Sequence, residues 1–198
     1  MKNKFILRNE DRVMRPVTLA DAEFIVKLRN QPDVARGINP TSVNVERQRD
    51  WIRAYLAREN EFYWIIEDLN GRPIGTEGYY NYSQQRNEIE SGRWVMMKDV
   101  HINVVASRIQ FFDFAFDVIG VDNIYFDIVE SNKSVVLFQE ICGSRRDPVR
   151  YKTADGRPLV RFNQFRDAWQ GGVRSKLLRF CRDSGSFRMS ECCETSLS

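Results

Sequence analysis

KDVHINVVASRIQFFDFAF, Lys98 to Phe116, is the stretch on which the reading of this chain turns. It reads as a strand-to-helix turn, the kind of place where the phosphates of a cofactor sit, followed by a helix that runs to about Ile119. Yet no glycine occurs from Arg93 to Ile119. Glycine is the usual residue at such turns, because the backbone must come within hydrogen-bonding distance of the anion without a Cβ in the way. The donors survive the loss. A helix N-terminus binds anions through backbone N–H groups that every non-proline residue carries, and no proline lies between Lys98 and Ile119. Side chains there are tolerated wherever the chain does not require positive φ.

Along the helix, Val105, Ile109, Phe112, Phe116 and Ile119 form one stripe, and Gln110, Asp113 and Asp117 lie opposite. The spacing predicts a wide apolar face packed on a sheet and a polar back. Upstream, FYWIIED, IGTEGYYNY and EIESGRWVMM read as three antiparallel strands joined by the turns LNGRP and SQQRN. Before them come a short strand at Arg12–Val17, a capping-box signal at Thr18–Asp21, and a helix through about Asn30 that Pro32 ends. After the loop PDVARGINPTSV, the segment VERQRDWIRAYLA places Trp51 with Tyr55 and Ile52 with Leu56 at i, i+4 spacing on a second amphipathic helix.

Downstream, NIYFDIV is a strand, and SNKSVVLFQEI a short helix with Ser131 or Asn132 near its cap. Strands around Pro148–Lys152 and Leu159–Phe165, separated by the turn ADGRP, close the order. A strand-helix-strand unit following an antiparallel meander implies an α/β (α+β mixed) fold: a mixed, mostly antiparallel central sheet with helices on both faces. The expected division is one domain at 1–169 and an extension at 170–198. In the extension, Val173–Cys181 has room for a short helix, and the Ser-, Gly- and Arg-rich remainder reads as disordered.

Composition narrows the function classes. At 198 residues the chain suits one domain, able to bury roughly 70% of its unfolded surface. No apolar run approaches the ~20 residues of a membrane helix, so no membrane insertion is expected. Phe5, Ile6 and Leu7 are too few for the core of an export signal. Three of the four cysteines fall in the last eighteen residues, which is no disulfide framework and fits a cytoplasmic location. The net charge is +3, with five basic against three acidic residues beyond position 173, leaving a nearly neutral body that argues against nucleic acid as a partner. No cysteine pair or histidine cluster has metal-ligand spacing, so no metal is expected.

The element order resembles the GCN5-related N-acetyltransferase (GNAT) superfamily from about Arg12 to Trp169. Four signatures carry the resemblance: RPVTLADAEFIVKLRNQPDV; GRPIGTEGYYNY followed by IESGRWVMM; FAFDVIGVDNIYFDIVESNKSVVLF; and DGRPLVRFNQFRDAW. Within the superfamily they look most like the branch that acylates protein N-termini and amino sugars. The "LRN.P.V" helix end and Trp51 are similar to enzymes acting on nucleotide-linked amino sugars.

The resemblance implies an acyl-CoA-dependent N-acyltransferase, with acetyl-CoA as co-substrate, a small-molecule amine as acceptor, and room for a homodimer. It implies that the backbone of Trp94, Val95, Met96 and Met97 meets the pantetheine arm where two strands splay apart. It places His101, Asn103, Val105, Ala106 and Ser107 at the pyrophosphate, and Asn132, Ser134 and Phe138 along the coenzyme. A thioester is already activated, so transfer needs a neutral amine held close, donors for the oxyanion, and a base. Glu90, two residues before Gly92, matches the family's carboxylate position. Glu88 shares a strand face with Glu90 by the period of two, and Glu77 on the preceding strand is the third candidate.

The tyrosine that often protonates the leaving thiolate is Phe138 here, so either Tyr82, or its neighbours Tyr79 and Tyr80, substitutes, or water does, or the step is dispensable because a thiolate leaves without much help near neutral pH. Arg29, Asn30, Arg36 and Tyr80 are the expected acceptor contacts, an arginine being suited to hold a phosphate by a bidentate contact. Two other readings stay open: acetylation of a protein N-terminus, and a degenerate member of the fold that binds without catalysing.

Overall fold

The computed structural model describes residues 5–183 except 36, 99, 101 and 102. Arg36, His101 and the tail expected to be disordered therefore lie outside the described residues. The chain divides into two compact units. The first takes the residues up to Asn81 and the segment beginning at Gly92, and the second takes Tyr82–Ser91 and the chain after the Lys98 turn.

In the first unit, β1 (Leu7–Arg8), β2 (Val13–Pro16), β3 (Phe62–Glu67), β4 (Pro73–Ser83) and β5 (Glu88–Met96) are successive neighbours in one sheet. β1, β2, β3 and β4 pair antiparallel. β1 was not expected: Leu7 pairs with Met14, and the indole N–H of Trp64 donates to the Phe5 carbonyl at 2.9 Å. The apolar run Phe5, Ile6, Leu7 thus leads into a short edge strand at its last residue. α1 (Ala22–Arg29) and α3 (Val45–Leu56) cover β3, burying Val17, Ala22, Ile25, Ile52 and Tyr55 against Tyr63 and Ile65. Pro32 does more than end α1. It opens the short α2 (Pro32–Ala35), where its fixed φ and missing N–H suit the first helical position.

The entry to α1 is set by Asp21, whose Oδ2 accepts from the Thr18 N–H at 2.7 Å and the Thr18 hydroxyl at 2.9 Å. The Arg15 guanidinium donates to both Asp21 oxygens, at 2.9 and 2.7 Å. Gly78 marks a close approach of strands: a Cβ there would lie 2.6 Å from the Phe62 carbonyl oxygen.

The second unit contains the first half of β5, α4 (Val104–Asp113) with a π-helical continuation over Phe114–Ile119, and β6 (Asn123–Val129). It continues through α5 (Lys133–Ile141), β7 (Arg145–Arg146), β8 (Tyr151–Lys152), β9 (Pro158–Phe165), α6 (Arg166–Ala168) and α7 (Arg174–Asp183). β5 and β6 run parallel, while β6, β7 and β8 each pair antiparallel with β9. The strand expected over Pro148–Lys152 shrinks to its last two residues, because Pro148 cannot donate to a ladder. Gly120, with φ +87°, ends the helix in the left-handed conformation that lets the chain turn into β6.

One expectation fails for an instructive reason. Gln110 and Asp113, assigned to a polar back, are buried, as is every residue from Ala106 to Phe116. The cover comes from the segment after Phe165. The Trp169 ring meets Phe112 edge-on at 5.1 Å, its indole N–H donates to Asp113 at 2.9 Å, and Arg174 Nε donates to the same carboxylate at 2.8 Å. Leu177 and Cys181 of α7 are also buried.

Two stability outcomes follow. Burial pushes the Asp21 carboxyl up, but the Arg15 hydrogen bonds and the two Thr18 donors outweigh it and hold the group below its ordinary range. The folded state thus takes up this proton less readily than the unfolded chain, so the stabilisation is complete above about pH 4 and is lost as pH falls through the lowered folded value. Asp21→Asn should lower stability at neutral pH and flatten the acid loss in urea titrations across pH; parallel acid dependence in both proteins would reject this assignment. Gly78→Ala should cost about 1–3 kcal/mol in the same measurement, because the new methyl meets backbone that cannot rotate away.

Candidate active site

In the first unit, β5 departs from regular strand geometry at Arg93, whose φ is +57°. A non-glycine residue in this conformation is sparsely populated and persists only where its surroundings hold it. Here they do. The Thr76 hydroxyl donates to the Arg93 carbonyl at 2.7 Å, and the guanidinium lies over the rings of Tyr80 at 4.3 Å, Trp51 at 4.9 Å and Tyr63 at 5.2 Å. Glu61 accepts from Arg93 Nη2 at 3.2 Å. Gly92 leaves room for this arrangement, since a Cβ there would lie 2.2 Å from the Tyr80 hydroxyl.

Arg93 lines a cavity of about 300 Å³ with Arg29 of α1, Thr41 and Ser42 of the following loop, and Arg47 and Trp51 of α3. Arg29 Nε donates to the Thr41 hydroxyl at 2.6 Å. Burial lowers the Arg29 pKa, with Arg93 adding to the effect and Tyr63 and Tyr80 opposing it. No carboxylate lines this cavity among the described residues. Of the expected acceptor contacts, the fold brings Arg29 and Tyr80 to Arg93. Asn30 instead spends its amide on the Val26 carbonyl at the end of α1, at 2.8 Å. Glu77, on β4, is wholly buried opposite Trp64.

In the second unit, the parallel ladder between β5 and β6 has three rungs, Glu88↔Asn123, Ile89↔Ile124 and Glu90↔Tyr125. It stops there, although β5 continues to Met96 and β6 to Val129. Glu90 is half-buried at this last rung and accepts from the Tyr125 hydroxyl at 3.3 Å. Burial and the Glu90 charge raise the Tyr125 pKa, so the phenol remains a donor at neutral pH. Arg161 lies over the Tyr125 ring at 4.4 Å and the Tyr151 ring at 4.3 Å. It is fixed by a bidentate pair to Asp127, both contacts at 2.7 Å. Tyr82, expected from the sequence as a substitute proton donor, is half-buried near the end of β4.

The residues expected along the coenzyme divide between the units. Trp94, Val95 and Met96 lie on β5 after the ladder has stopped, and the Met97 N–H donates to the Ile74 carbonyl at 2.8 Å. Asn103 caps α4, its Oδ1 accepting from the Ala106 N–H at 2.9 Å; Val105, Ala106 and Ser107 form the first turn. Among the described residues from Trp94 to Ile119 none has positive φ, so the side chains that replace glycine there impose no backbone strain. The Ser107 hydroxyl is buried with no hydrogen-bond partner among the described residues. At the start of α5, Ser134 donates to Asn132 Oδ1 at 3.2 Å, and Phe138 is half-buried further along.

Residues 12–145 match the family described as Acetyltransferase (GNAT) domain. The chain belongs to the GNAT acetyltransferases. No curated protein matches the sequence. Among solved structures, the GNAT fold recurs in apo FdhC, described as a nucleotide-linked sugar GNAT, at 24% identity and a TM-score of 0.70, covering 93% of this chain and 98% of that one. A GCN5-related N-acetyltransferase from Brucella melitensis aligns at 12% identity with a TM-score of 0.73, over 89% of this chain and 85% of that one. A variant of the spermidine N-acetyltransferase SpeG from Vibrio cholerae aligns at 16% identity and 0.66, over 84% and 96%. These likenesses establish the mixed, mostly antiparallel GNAT fold.

Sequence reasoning did not single out Arg47 and Arg93 at the cavity of the first unit, nor Tyr125 and Arg161 beside Glu90 in the second. The one local signal was Gly92 inside a strand, which often marks a bulge or a close approach. The helix start gives a direct test of its cap. Asn103→Ala should lower thermal stability by about 0.5–2 kcal/mol, whereas Asn103→Asp, which keeps an acceptor at the cap, should cost little.

Proposed function

We propose that this chain is an acyl-CoA-dependent N-acyltransferase that acetylates a small primary amine, such as a nucleotide-linked amino sugar. The observation that carries this reading is the end of the β5–β6 ladder at Glu90↔Tyr125. It leaves β5 backbone beyond Glu90 without rungs to β6, as a strand-like ligand requires, and puts a tyrosine-bonded carboxylate at the last rung. The residues present fit the coenzyme. Within the second unit, the first turn of α4 and the Ser107 hydroxyl, without a hydrogen-bond partner among the described residues, would take its phosphates, and Asn132 and Ser134 its amides.

Acetyl-CoA supplies an acyl group already activated as a thioester. Glu90 takes the proton that the amine nitrogen must lose as its bond to the carbonyl carbon forms, directly or through a water. Tyr125 holds Glu90 in one rotamer by its hydrogen bond and is itself held by the Arg161 stack. Phe138 donates no proton, so the departing thiolate takes its proton from solvent. On the acceptor side, three arginines, with no lining carboxylate among the described residues, repel a polyamine and favour an amine carried on an anionic molecule.

The test is release of free coenzyme thiol from acetyl-CoA with a panel of nucleotide-linked amino sugars, free amino sugars, N-terminal peptides and spermidine. A nucleotide-linked amino sugar should turn over, and spermidine should not. Glu90→Gln should lower kcat by about 10²–10⁴-fold. Tyr125→Phe should lower kcat by a smaller factor with the KM for acetyl-CoA unchanged. No thermal shift at millimolar acetyl-CoA, together with no thiol release with any amine, would sink the reading.

A further inference from the structure

The cavity of the first unit carries more cationic groups than its own structure uses. Arg93 is paired with Glu61, but its Nη1 is buried with no hydrogen-bond acceptor among the described residues. Among the described residues, Arg29 donates to the Thr41 hydroxyl and, at 3.4 Å, to the Asn39 carbonyl, both neutral. Arg47 projects from the first turn of α3, where Asn44 accepts from its backbone N–H, and its exposed side chain forms part of the cavity wall. Bringing Arg29 and Arg93 to one cavity is unfavourable through mutual repulsion and, for Arg29, through lost hydration, and Arg47 on the same wall adds a third cation. A multiply charged anion relieves all of these costs at once, because arginine presents planar paired donors that match phosphate oxygens.

We propose that Arg29, Arg47 and Arg93, with the hydroxyls of Thr41 and Ser42, form a subsite for the phosphate groups of the acceptor. This rests on the acyltransferase reading only in calling the ligand an acceptor; the subsite itself is a binding property of α1, α3 and β5. Arg93 is the fixed member, since its aromatic surround and Glu61 leave it little freedom to move. Arg47 is the exposed member and meets the ligand from the outer wall of the cavity. Trp51, on the cavity wall and stacked on Tyr55 with ring centroids 5.8 Å apart, offers an aromatic surface beside the phosphates.

Calorimetric titration of the full chain with UDP, glucosamine 6-phosphate and inorganic phosphate tests the proposal without any turnover. The wild type should bind at least one of the two phosphate esters, more weakly as salt is raised. Arg47→Met, which changes an exposed side chain and leaves the fold intact, should weaken that binding at least tenfold, and Arg29→Met should weaken it further. Acetyl-CoA binding should be unchanged in both variants. Tighter binding of UDP assigns the phosphates to a nucleotide, and tighter binding of glucosamine 6-phosphate assigns them to a sugar phosphate; either supports the subsite. Absence of binding by both esters, or equal binding by wild type and Arg47→Met, overturns it. Thiol release with an uncharged amine in that case would leave the transferase standing and remove only the anion subsite.

Discussion

The left-handed backbone of Arg93 is the constraint around which the first unit is arranged. Such a conformation costs on the order of 1–3 kcal/mol for a non-glycine residue, so its neighbours must over-determine it. Each cation–π contact contributes about 0.5–2 kcal/mol, depending on desolvation, and the guanidinium has several. Tyr55, Tyr63 and Trp51 therefore serve two purposes. They fill the core between α3 and β3, and they present ring faces to a cation. Burial raises both phenols, Tyr55 to about 12, so neither competes with Glu61 as a negative partner for Arg93. The strain sits in one residue, and its product is a guanidinium held in a fixed place.

The glycine-free turn and the Arg93 strand solve related problems by opposite means. At Arg93 the chain accepts a strained backbone to aim a side chain. At the start of α4 it avoids strain, and the Asn103 side chain accepts from the Ala106 N–H and orders the first turn. Anion recognition through amides needs no particular side chain, which is why Val105 and Ala106 can stand where glycine is customary. Recognition through arginine needs side chains alone and leaves the backbone free.

Much of the architecture was legible because periodicity reports burial on one side. The β3, β4 and β5 strands, α1, α3 and β6 all follow from alternation or i, i+4 spacing close to their observed limits. Periodicity failed on α4, where Gln110 and Asp113 looked solvated. The Asp113 carboxylate is met by Trp169, at the end of the expected domain, and by Arg174, in the expected extension. A buried carboxylate met by an indole and a guanidinium is a tertiary arrangement with no local signature. The site was legible in the same measure. Glu90 and Arg29 lie on elements that a pattern can place, whereas Arg93 depends on a φ angle and Tyr125 on the register of a parallel pair. A shift of that register by one residue would have turned Tyr125 to the other face of the sheet, away from Glu90.

Phe138 looks like the gravest loss for an acyltransferase, yet the chemistry makes it tolerable. A thiol has an ordinary pKa near 8.5, so its thiolate departs at neutral pH without an acid, and the proton can arrive afterwards from water. An amine is the opposite case, because it cannot form a stable amide while it keeps its extra proton. Acid–base demand thus falls on one group, and under the proposed reading that group is Glu90. A lone base must be well placed, since it has no second residue to share the step. The Tyr125 hydroxyl, steadied by Arg161 between two rings and by Asp127 behind it, spends four side chains on the direction of one carboxylate. That investment is intelligible for a catalytic base and has little purpose for a carboxylate that merely faces solvent, which is the physical ground for preferring a working enzyme to a degenerate binding module.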